Sequence, residues 1–527
     1  MVSAWLLGRY RNAILRAMSQ TAGTPAEPPK LPVQPDAAET RSLVFQIHEP
    51  GSGRTARASQ WIQRMEANAQ GIAWVYAAAG LGYAAVLAAA WTLHMGDGFL
   101  PNRFLMFLAL YAWPIVLASG LVLPLRRRER WGILAVQASA VAGFWLAGGS
   151  GGPAKNLQDA LFLWVLLNGP ATLLIWSTMH RSIRTVGPTV LVVLAFCLAG
   201  SLLAAEVVFS HLEGAIALAN SMGLGGYQIL AGAIALGILI FGLAGLVVWR
   251  ALAQAYRRKW ISDQSIVIDS LWLLFALAHP IVMLADGIVW ELTGMVAFAV
   301  YFAISRVGWV WLRARSGTVG GPGVAPRLLL LRVFSQRKRG PDAFAQIAKW
   351  WPRIGSVQMI AGPDLVTSQA SPDEFLDYLA GNLERRFVRS NADLEIRLAE
   401  VDLRPDPDGL YRVQEFFCHD DTWKRAVRAL ADRSSVVVMD LSGFGPGRAG
   451  CLYELGHLLD RVDLRRVALL IGPTTDRSFL EASLREQWSK VAPDSPNRLV
   501  PVPTAHLFPI QIADREALRR VFAALEA

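Results

Sequence analysis

The residues best suited to chemistry lie in one glycine-rich segment of the chain. It reads Val436-Val-Val-Met-Asp-Leu-Ser-Gly-Phe-Gly-Pro-Gly-Arg-Ala-Gly-Cys-Leu-Tyr-Glu-Leu-Gly456. The pattern predicts a buried strand that ends at Asp440 and a helix that begins near Ala449. Glycines let a backbone approach a ligand closely, and the N–H groups at a helix start attract anions. The predicted ligand-binding residues here are Asp440, Ser442, Gly443, Gly445, Gly447, Arg448 and Gly450.

Glu454 is the candidate catalytic residue, one turn into that predicted helix. Leu452, Leu455 and Leu459 take the apolar face, so the carboxylate is predicted to point away from the core and back toward the loop. There it would hold a ribose by its hydroxyls or stabilise an oxocarbenium-like centre, as acidic residues do in glycosyl cleavage. The alternative is a solvated glutamate whose charge suits the helix N-terminus.

The elements around this loop predict an α/β domain. Short apolar runs at 328–334, 356–361, 436–440, 467–471 and, more weakly, 499–502 alternate with helical patterns, which indicates a parallel sheet covered by helices. Such sheets bind ligands at the carboxyl ends of their strands. Ser371-Pro-Asp-Glu374 predicts the start of a long helix. The segments 394–401 and 411–417 flank the turn sequence Pro405-Asp-Pro-Asp-Gly409, so a β-hairpin insertion is predicted there.

A family resemblance rests on the same region. The run Asp421-Thr-Trp-Lys-Arg-Ala-Val-Arg-Ala-Leu-Ala-Asp-Arg-Ser-Ser-Val-Val-Val-Met-Asp-Leu, followed by Gly450-Cys-Leu-Tyr-Glu454, resembles the central part of TIR-type and nucleoside deoxyribosyltransferase-like domains. Val333-Phe-Ser335 is similar to the exit of their opening strand. The resemblance covers about 100 residues and none of the apolar region. Gly450 departs from the pattern, because many TIR domains have Trp there.

The resemblance implies a flavodoxin-like domain that binds NAD or another nucleotide. In the catalytic members of these families the glycosidic bond of NAD or a nucleoside is cleaved. Glu454 then stands in the position of their catalytic glutamate, and Ser335 joins the ligand-binding residues.

Long apolar runs between residues 72 and 312 predict a polytopic helical membrane bundle. The chain is 53% hydrophobic with a mean hydropathy of +0.34. Each run is near the length that a helix needs to cross a bilayer, where every N–H and C=O must be paired internally. About eight spans are predicted, at 72–93, 104–125, 131–149, 157–179, 188–209, 227–249, 266–284 and 288–312.

The charges of the connecting loops predict the orientation. Arginine and lysine concentrate in the second, fourth and sixth connections and after the eighth span, and cytoplasmic loops carry this excess. Both termini are therefore predicted to be cytoplasmic, in an inner (plasma) membrane. Much of the net charge of +10 faces an anionic leaflet in this arrangement, so a nucleic-acid partner is not expected.

Four regions follow from these patterns. Residues 1–70 are predicted to be a cytosolic tail with a proline-rich linker, 71–315 the bundle, 316–326 a linker and 327–527 the TIR-like domain. Within the tail, residues 1–20 fit a poorly ordered segment or an interfacial amphipathic helix.

Two residues within the predicted spans stand out. His279 and Asp269 are ionisable, and such groups are costly inside a bilayer. They are interpreted either as a proton or ligand site or, for His279, as a hydrogen-bonding residue between helices. Neither the three cysteines nor the eight histidines match a metal-site spacing, so no metal is expected.

Three functions remain open on the sequence alone. The first is a membrane protein whose cytosolic domain binds a nucleotide such as NAD, and cleaves it on signalling or homo-oligomerisation. The second is a membrane-anchored scaffold that recruits a partner. The third is a transporter with a regulatory domain.

Overall fold

The computed structural model describes residues 2–20, 42–48, 60–95, 98–123, 127–148, 157–178, 187–280, 288–315, 325–333, 347–348, 350–362, 378, 381–510 and 515–526. The chain divides into two compact units. The first consists of residues 1–5, 69–318 and 371–376, and the second of residues 6–68, 319–370 and 377–527. The second unit is thus assembled from the beginning and the end of the chain.

The first unit is helical. The helices up to residue 315 are α1 (Val2–Met18), α2 (Gln60–His94), α3 (Pro101–Tyr111), α4 (Trp113–Val122), α5 (Arg127–Gly148), α6 (Leu157–Thr178), α7 (Gly187–Ser210), α8 (Leu212–Met222), α9 (Gly226–Arg257), α10 (Asp263–Ala278) and α11 (Ile288–Arg315). All of them belong to this unit except residues 6–18 of α1 and 60–68 of α2.

Five helical segments in the described part of the chain are long and apolar enough to cross a membrane. They are Gln60–His94, Pro101–Val122, Leu191–Ser210, Gly226–Arg257 and Leu292–Leu312. Leu161–Trp176 and Gln264–Ala278 are shorter apolar helices. The predicted second span contains an interruption: α3 ends at Tyr111, and α4 begins at Trp113 with Pro114 in its first turn. Proline has no N–H to continue the preceding helix.

Two buried polar groups connect helices within this unit. The Nε2–H of His279 donates to Asn168 Oδ1 (3.2 Å), and Asn168 Nδ2 donates to the Leu110 carbonyl (3.3 Å). Nδ1 of His279 then accepts from the Tyr83 hydroxyl (2.9 Å). His279 therefore makes the interhelical hydrogen bonds of the structural interpretation. Asp269 pairs with Arg306 and accepts from the Tyr301 hydroxyl, which joins α10 to α11.

Helices α7 and α9 approach each other closely at a pair of glycines. A Cβ atom added to Gly237 would lie 2.3 Å from the carbonyl oxygen of Gly200, and the reverse distance is the same. The two backbones touch because neither residue has a side chain, as is common at helix crossings in membranes.

Gly237→Ala is expected to force α7 and α9 apart and to destabilise the protein by about 1–3 kcal/mol. Gly232→Ala, also on α9, is the matched control, because a Cβ there would have nothing within 4 Å. Thermal unfolding in detergent should show a lower Tm for the first variant. The second should be neutral or slightly stabilised, since Ala is the better helix former. Equal Tm values would contradict the backbone contact.

The second unit contains an eight-stranded sheet. Its strands are β1 (Val44–Ile47), β2 (Arg327–Arg332), β3 (Ser356–Ile360), β4 (Phe387–Val388), β5 (Val413–Cys418), β6 (Val436–Asp440), β7 (Val467–Ile471) and β8 (Thr504–Pro509). The order is β1-β8-β7-β6-β2-β3-β5-β4, and every neighbouring pair is parallel. The central strands are apolar throughout because both of their faces are covered.

Helices cover both faces. The helices after β4 are α12 (Asn391–Ala399), α13 (Trp423–Arg433), α14 (Ala449–Arg461), α15 (Arg477–Ser489) and α16 (Arg515–Glu526). Successive residues of a strand point to opposite faces. Val437 and Met439 of β6 accordingly belong to the core formed with α13, α14 and α15, whereas Val436 and Val438 belong to the core that contains Val521 and Phe522 of α16.

The beginning of the chain is part of this unit. β1 pairs with β8, and Ile62 and Met65, in the first turns of α2, enter the core on the α16 face. In α1, Tyr10 and Ile14 are fully buried. Where a tail was predicted, the described residues thus form a helix, a strand and part of a core.

The predicted β-hairpin insertion is wrong. Residues 381–418 are fully described, and the first predicted arm is helix α12. Ser390 caps this helix by accepting a hydrogen bond from the Asp393 N–H (3.1 Å), and Leu394 and Leu398 share one apolar face. The second arm is β5, which pairs in parallel with β3 and not with its chain neighbour. An i, i+4 apolar pair satisfies a strand pattern and a helix pattern alike.

The weak strand predicted at 499–502 lies instead at Thr504–Pro509, and Leu499 and Val502 are 80% and 57% exposed. The long helix predicted from Ser371 lies almost entirely outside the described residues.

Candidate functional site

The glycine-rich loop begins at the carboxyl edge of the sheet, between two other strands. Asp440, the last residue of β6, is in register with Arg332, the last residue of β2. The Val333 N–H donates to the Asp440 carbonyl (3.1 Å), and the Leu441 N–H donates to the Leu470 carbonyl of β7 (2.9 Å). The exit of β2 therefore lies beside Asp440. Ser335, two residues further on, lies outside the described residues.

The loop folds back on its own strand end. The buried Asp440 accepts the Ser442 N–H at Oδ1 (2.9 Å). Gly443 and Gly447 have φ values of 75° and 82°, which residues other than glycine rarely adopt. Phe444 is buried and anchors the loop, while its tip around Gly447 is exposed. Here Asp440 has a structural role, because its carboxylate holds the turn.

A second loop, which follows β7, supports the first one. The Thr475 hydroxyl donates to the Leu441 carbonyl (2.9 Å) and accepts the Gly472 N–H (2.9 Å). The Asp476 N–H donates to the Phe444 carbonyl (3.0 Å). A Cβ on Gly472 would lie 2.7 Å from Ser442 Oγ, so this glycine leaves room for the first loop. Sequence reasoning missed these residues, although Gly472-Pro-Thr-Thr-Asp476 directly after a strand is a turn and helix-cap pattern.

The start of α14 carries cationic and aromatic groups. Arg448 is the N-cap residue, and its side chain makes no capping hydrogen bond. A Cβ on Gly450 would meet the Trp423 ring at 3.6 Å, so this ring covers the first turn of the helix. Trp423 in turn contacts Tyr453 edge to face, with ring centroids 5.5 Å apart. Lys424 lies over the Tyr453 ring at 5.1 Å from its centroid, which is a cation–π contact.

Glu454 is buried, contrary to the expected orientation. It is 3% exposed and shares the inner face of α14 with Cys451 and Leu458, which are 5% and 1% exposed. These residues are three positions before and four positions after Glu454, which is the spacing of one helix face. The solvated alternative is therefore wrong as well. Its Oε2 atom has no hydrogen-bond partner in the part of the chain that the structure describes.

Burial controls the charge of this carboxyl. It raises the pKa of Glu454 to about 8, and among the described residues no charged side chain offsets the effect. The positive charge of Arg448 thus does not stabilise the carboxylate. Burial lowers the pKa of His457, and the charges that act on this imidazole belong to Asp432, Arg428, Asp460 and Arg461 rather than to Glu454. Glu454 is consequently a neutral acid near pH 7.

Most of the predicted site residues lie in one continuous segment at the end of β6. Asp440, Ser442, Gly443, Gly445, Gly447, Arg448 and Gly450 form the loop and the first turn of α14, and Glu454 follows one turn later in the core. Within the described residues, no group of three or more His, Cys, Asp or Glu side chains is placed to hold a metal ion. An uncompensated buried carboxyl at the carboxyl edge of a parallel sheet is typical of a functional site.

Fold and site together define a class: a chain with helices that are long and apolar enough to cross a membrane and a parallel α/β unit that buries an acid after a glycine-rich loop. No protein-family model, curated protein or solved structure matches the chain.

The Glu454 carboxyl is expected to be protonated at pH 7 and to lose its proton near pH 8, which infrared difference spectra against Glu454→Gln would detect. Because its folded pKa exceeds the ordinary value of 4.5, the wild type is expected to lose stability relative to this variant as pH rises from 4.5 to about 8. The total change has an upper limit of about 5 kcal/mol.

Amide hydrogen exchange of β6 and α14 measures this local stability. Glu486→Gln on α15 is the control, because it removes an exposed carboxylate from the same unit. A Glu454 carboxyl that is ionised at pH 6 would contradict its burial.

Proposed function

We propose that the α/β unit binds a nucleotide at the carboxyl edge of β2 and β6 and cleaves its glycosidic bond with Glu454. NAD and a nucleoside are the two substrate classes. Two features support a nucleotide ligand. Strands β3, β2, β6, β7 and β8 lie side by side, which is the order 2-1-3-4-5 of flavodoxin-like sheets. The loop after the third of these strands resembles that of TIR-like and nucleoside deoxyribosyltransferase-like domains.

The observation that supports this proposal best is that Glu454 is buried, unpaired at Oε2 and protonated near neutral pH. A structural glutamate in a core is normally paired, because an unpaired buried carboxyl costs stability. This carboxyl keeps its proton near neutral pH and has an unpartnered oxygen. A raised pKa is what a general acid needs, and such an acid would protonate a base that leaves as an anion.

The two substrate classes differ in what they require of this carboxyl. A neutral nucleoside releases an anionic base, so proton donation assists the cleavage. Nicotinamide leaves NAD as a neutral molecule, and there a carboxylate would stabilise the oxocarbenium-like centre. The pH profile therefore distinguishes them: the rate falls above about pH 8 for the acid role and rises through the same pH for the carboxylate role.

Glu454→Gln is expected to lower the rate of base release by about 10²–10⁴-fold, the usual contribution of a general acid. The experiment uses the full chain in lipid nanodiscs, dispersed and clustered, with NAD or nucleosides, and measures free base by chromatography. Glu486→Gln is the matched control. If the wild type released no base from any of these substrates under clustering, the enzymatic proposal would fail and the scaffold alternative would remain.

We also propose that the chain crosses the membrane eight times, with both termini in the cytoplasm. β1 and the first turns of α2 belong to the same folded unit as β2 to β8. Residues 42–68 and 327–510 must then lie on one side of the bilayer, so the number of crossings between them is even. The five described segments that are long and apolar enough to cross a membrane would give an odd number of crossings. Adding α5, α6 and α10 gives eight, in agreement with the alternation of loop arginines.

An impermeant thiol reagent tests this topology in intact cells. A cysteine at the exposed Ser221, after the fifth span, is expected to react from outside. A cysteine at the exposed Ala482 in α15 is expected to react only after permeabilisation. The native Cys418 and Cys451 are buried and should stay silent. Labelling of position 482 in intact cells would exclude a cytoplasmic α/β unit.

A further inference from the structure

Two histidines lie at the C-terminal end of the edge strand β1 and are hydrogen-bonded to each other. Nε2 of His48 and Nδ1 of His506, on β8, lie 3.2 Å apart, so one of these nitrogens donates its N–H and the other accepts it. The His48 ring also stacks on Phe508, with centroids 4.3 Å apart and an angle of 6° between the planes. Both imidazoles are only partly buried, so protons from solvent can reach them.

This histidine pair lies where β1 is joined to the sheet. β1 has four residues, and its register with β8 ends at Ile47, directly before His48. The His48 N–H donates to the Leu507 carbonyl (2.9 Å), and Nη1 of Arg520 on α16 donates to the His48 carbonyl (2.8 Å). His48 is therefore linked to β8 and α16 through its backbone and to β8 through its ring.

The hydrogen bond between the two imidazoles tolerates one added proton but not two. With one proton, an imidazolium donates to a neutral imidazole, and the Phe508 ring is a favourable neighbour for the charge. With two protons, the accepting nitrogen is occupied, and two cations face each other at the distance of a hydrogen bond. The second proton therefore converts an attraction into a repulsion.

The surroundings of the pair also disfavour its positive charge. Burial, then His506 and then Arg520 lower the pKa of His48, and burial lowers the pKa of His506. On the same face of the sheet, Glu66 of α2 pairs with Arg519 of α16 (2.6 Å), so another cation already balances this carboxylate. The charges of the described residues that act on His48 are thus positive.

We propose that His48 and His506 form a pH-sensitive latch, which releases β1 from β8 when both imidazoles are protonated. The pKa of each imidazole in the folded unit lies below its ordinary value of 6.5. The contribution of the latch to stability is therefore complete above about pH 6.5 and is lost as pH falls below that value. Release exposes the N–H and C=O groups along the edge of β8. The inference does not depend on the proposed cleavage reaction.

Amide hydrogen exchange of the full chain in lipid nanodiscs tests the latch in the wild type. Exchange is measured by mass spectrometry from about pH 7.5 to about pH 5 and corrected for the intrinsic effect of pH on amides. Protection of β1 is compared with protection of β3 in the same sheet. We expect β1 to lose about tenfold for each pH unit by which the second protonation is depressed, and β3 to lose none. Equal behaviour of the two strands would overturn the proposal.

Exchange of the imidazole C2 hydrogens, measured on the same samples, reports the protonation of each histidine. The loss of β1 protection is expected to coincide with the uptake of the second proton by His48 and His506. Two protonated imidazoles beside a β1 strand that stays protected would contradict the latch.

His48→Gln with His506→Gln is expected to abolish the pH dependence of β1, because two amides can still hydrogen-bond to each other and neither titrates. His457→Gln is the matched control, since it removes a partly buried imidazole from α14 of the same unit. The control should keep the wild-type dependence of β1 on pH. Persistence of that dependence in the double variant, or its loss in the control, would show a general effect of acid and overturn the proposal.

Discussion

Hydrogen bonds between β1 and β8 are the constraint on which the architecture depends. The Val44 N–H donates to the Pro503 carbonyl, and the His48 N–H donates to the Leu507 carbonyl, both at 2.9 Å. The side chains of His48 and His506 add a contact between positions 458 residues apart. The apolar helices are therefore an insertion into the α/β unit. The edge strand can join its sheet only after the last strand exists, so this pairing closes a very long loop.

The candidate site follows from the order of the strands. Because β6 lies between β2 and β7, the loop after Asp440 is held on both sides: Val333 bonds to the Asp440 carbonyl, and Thr475 bonds to the Leu441 carbonyl. These bonds fix the loop and the start of α14 without help from Glu454. The carboxyl is thus not needed to support the loop, and its burial without a partner is a cost that the surrounding core must offset.

The helical unit uses two different means to hold its helices together. α7 and α9 meet through glycine backbones at Gly200 and Gly237, where dispersion contacts act over a short distance. α10 is held by polar contacts at two positions, through Asp269 near its middle with Arg306 and through His279 at its C-terminal end with Asn168. In a medium without water, a polar group finds its partner on a neighbouring helix. Both ionisable groups singled out in the sequence thus have a packing role.

Local patterns were sufficient to predict much of this protein. Apolar run length predicts membrane-length helices, and short apolar runs between helices predict a parallel sheet, because both depend on periodicity within a few residues. The glycine-rich loop and the helix that follows could also be predicted from the sequence, since Gly443 and Gly447 occupy conformations that favour glycine. The error at 394–401 arose where an i, i+4 apolar pair fits a helix and a strand equally well.

Tertiary structure alone decided the remaining features. Burial of Glu454 depends on which face of α14 packs against the sheet. The spacing of the leucines in this helix fitted a different buried face equally well. The support from Thr475 and Gly472 depends on β7 lying beside β6, and the place of β1 depends on a strand at the far end of the chain. Sequence determines the elements through short-range sterics and periodicity. Contacts between distant segments decide which side chains are enclosed, and with them the charge of Glu454.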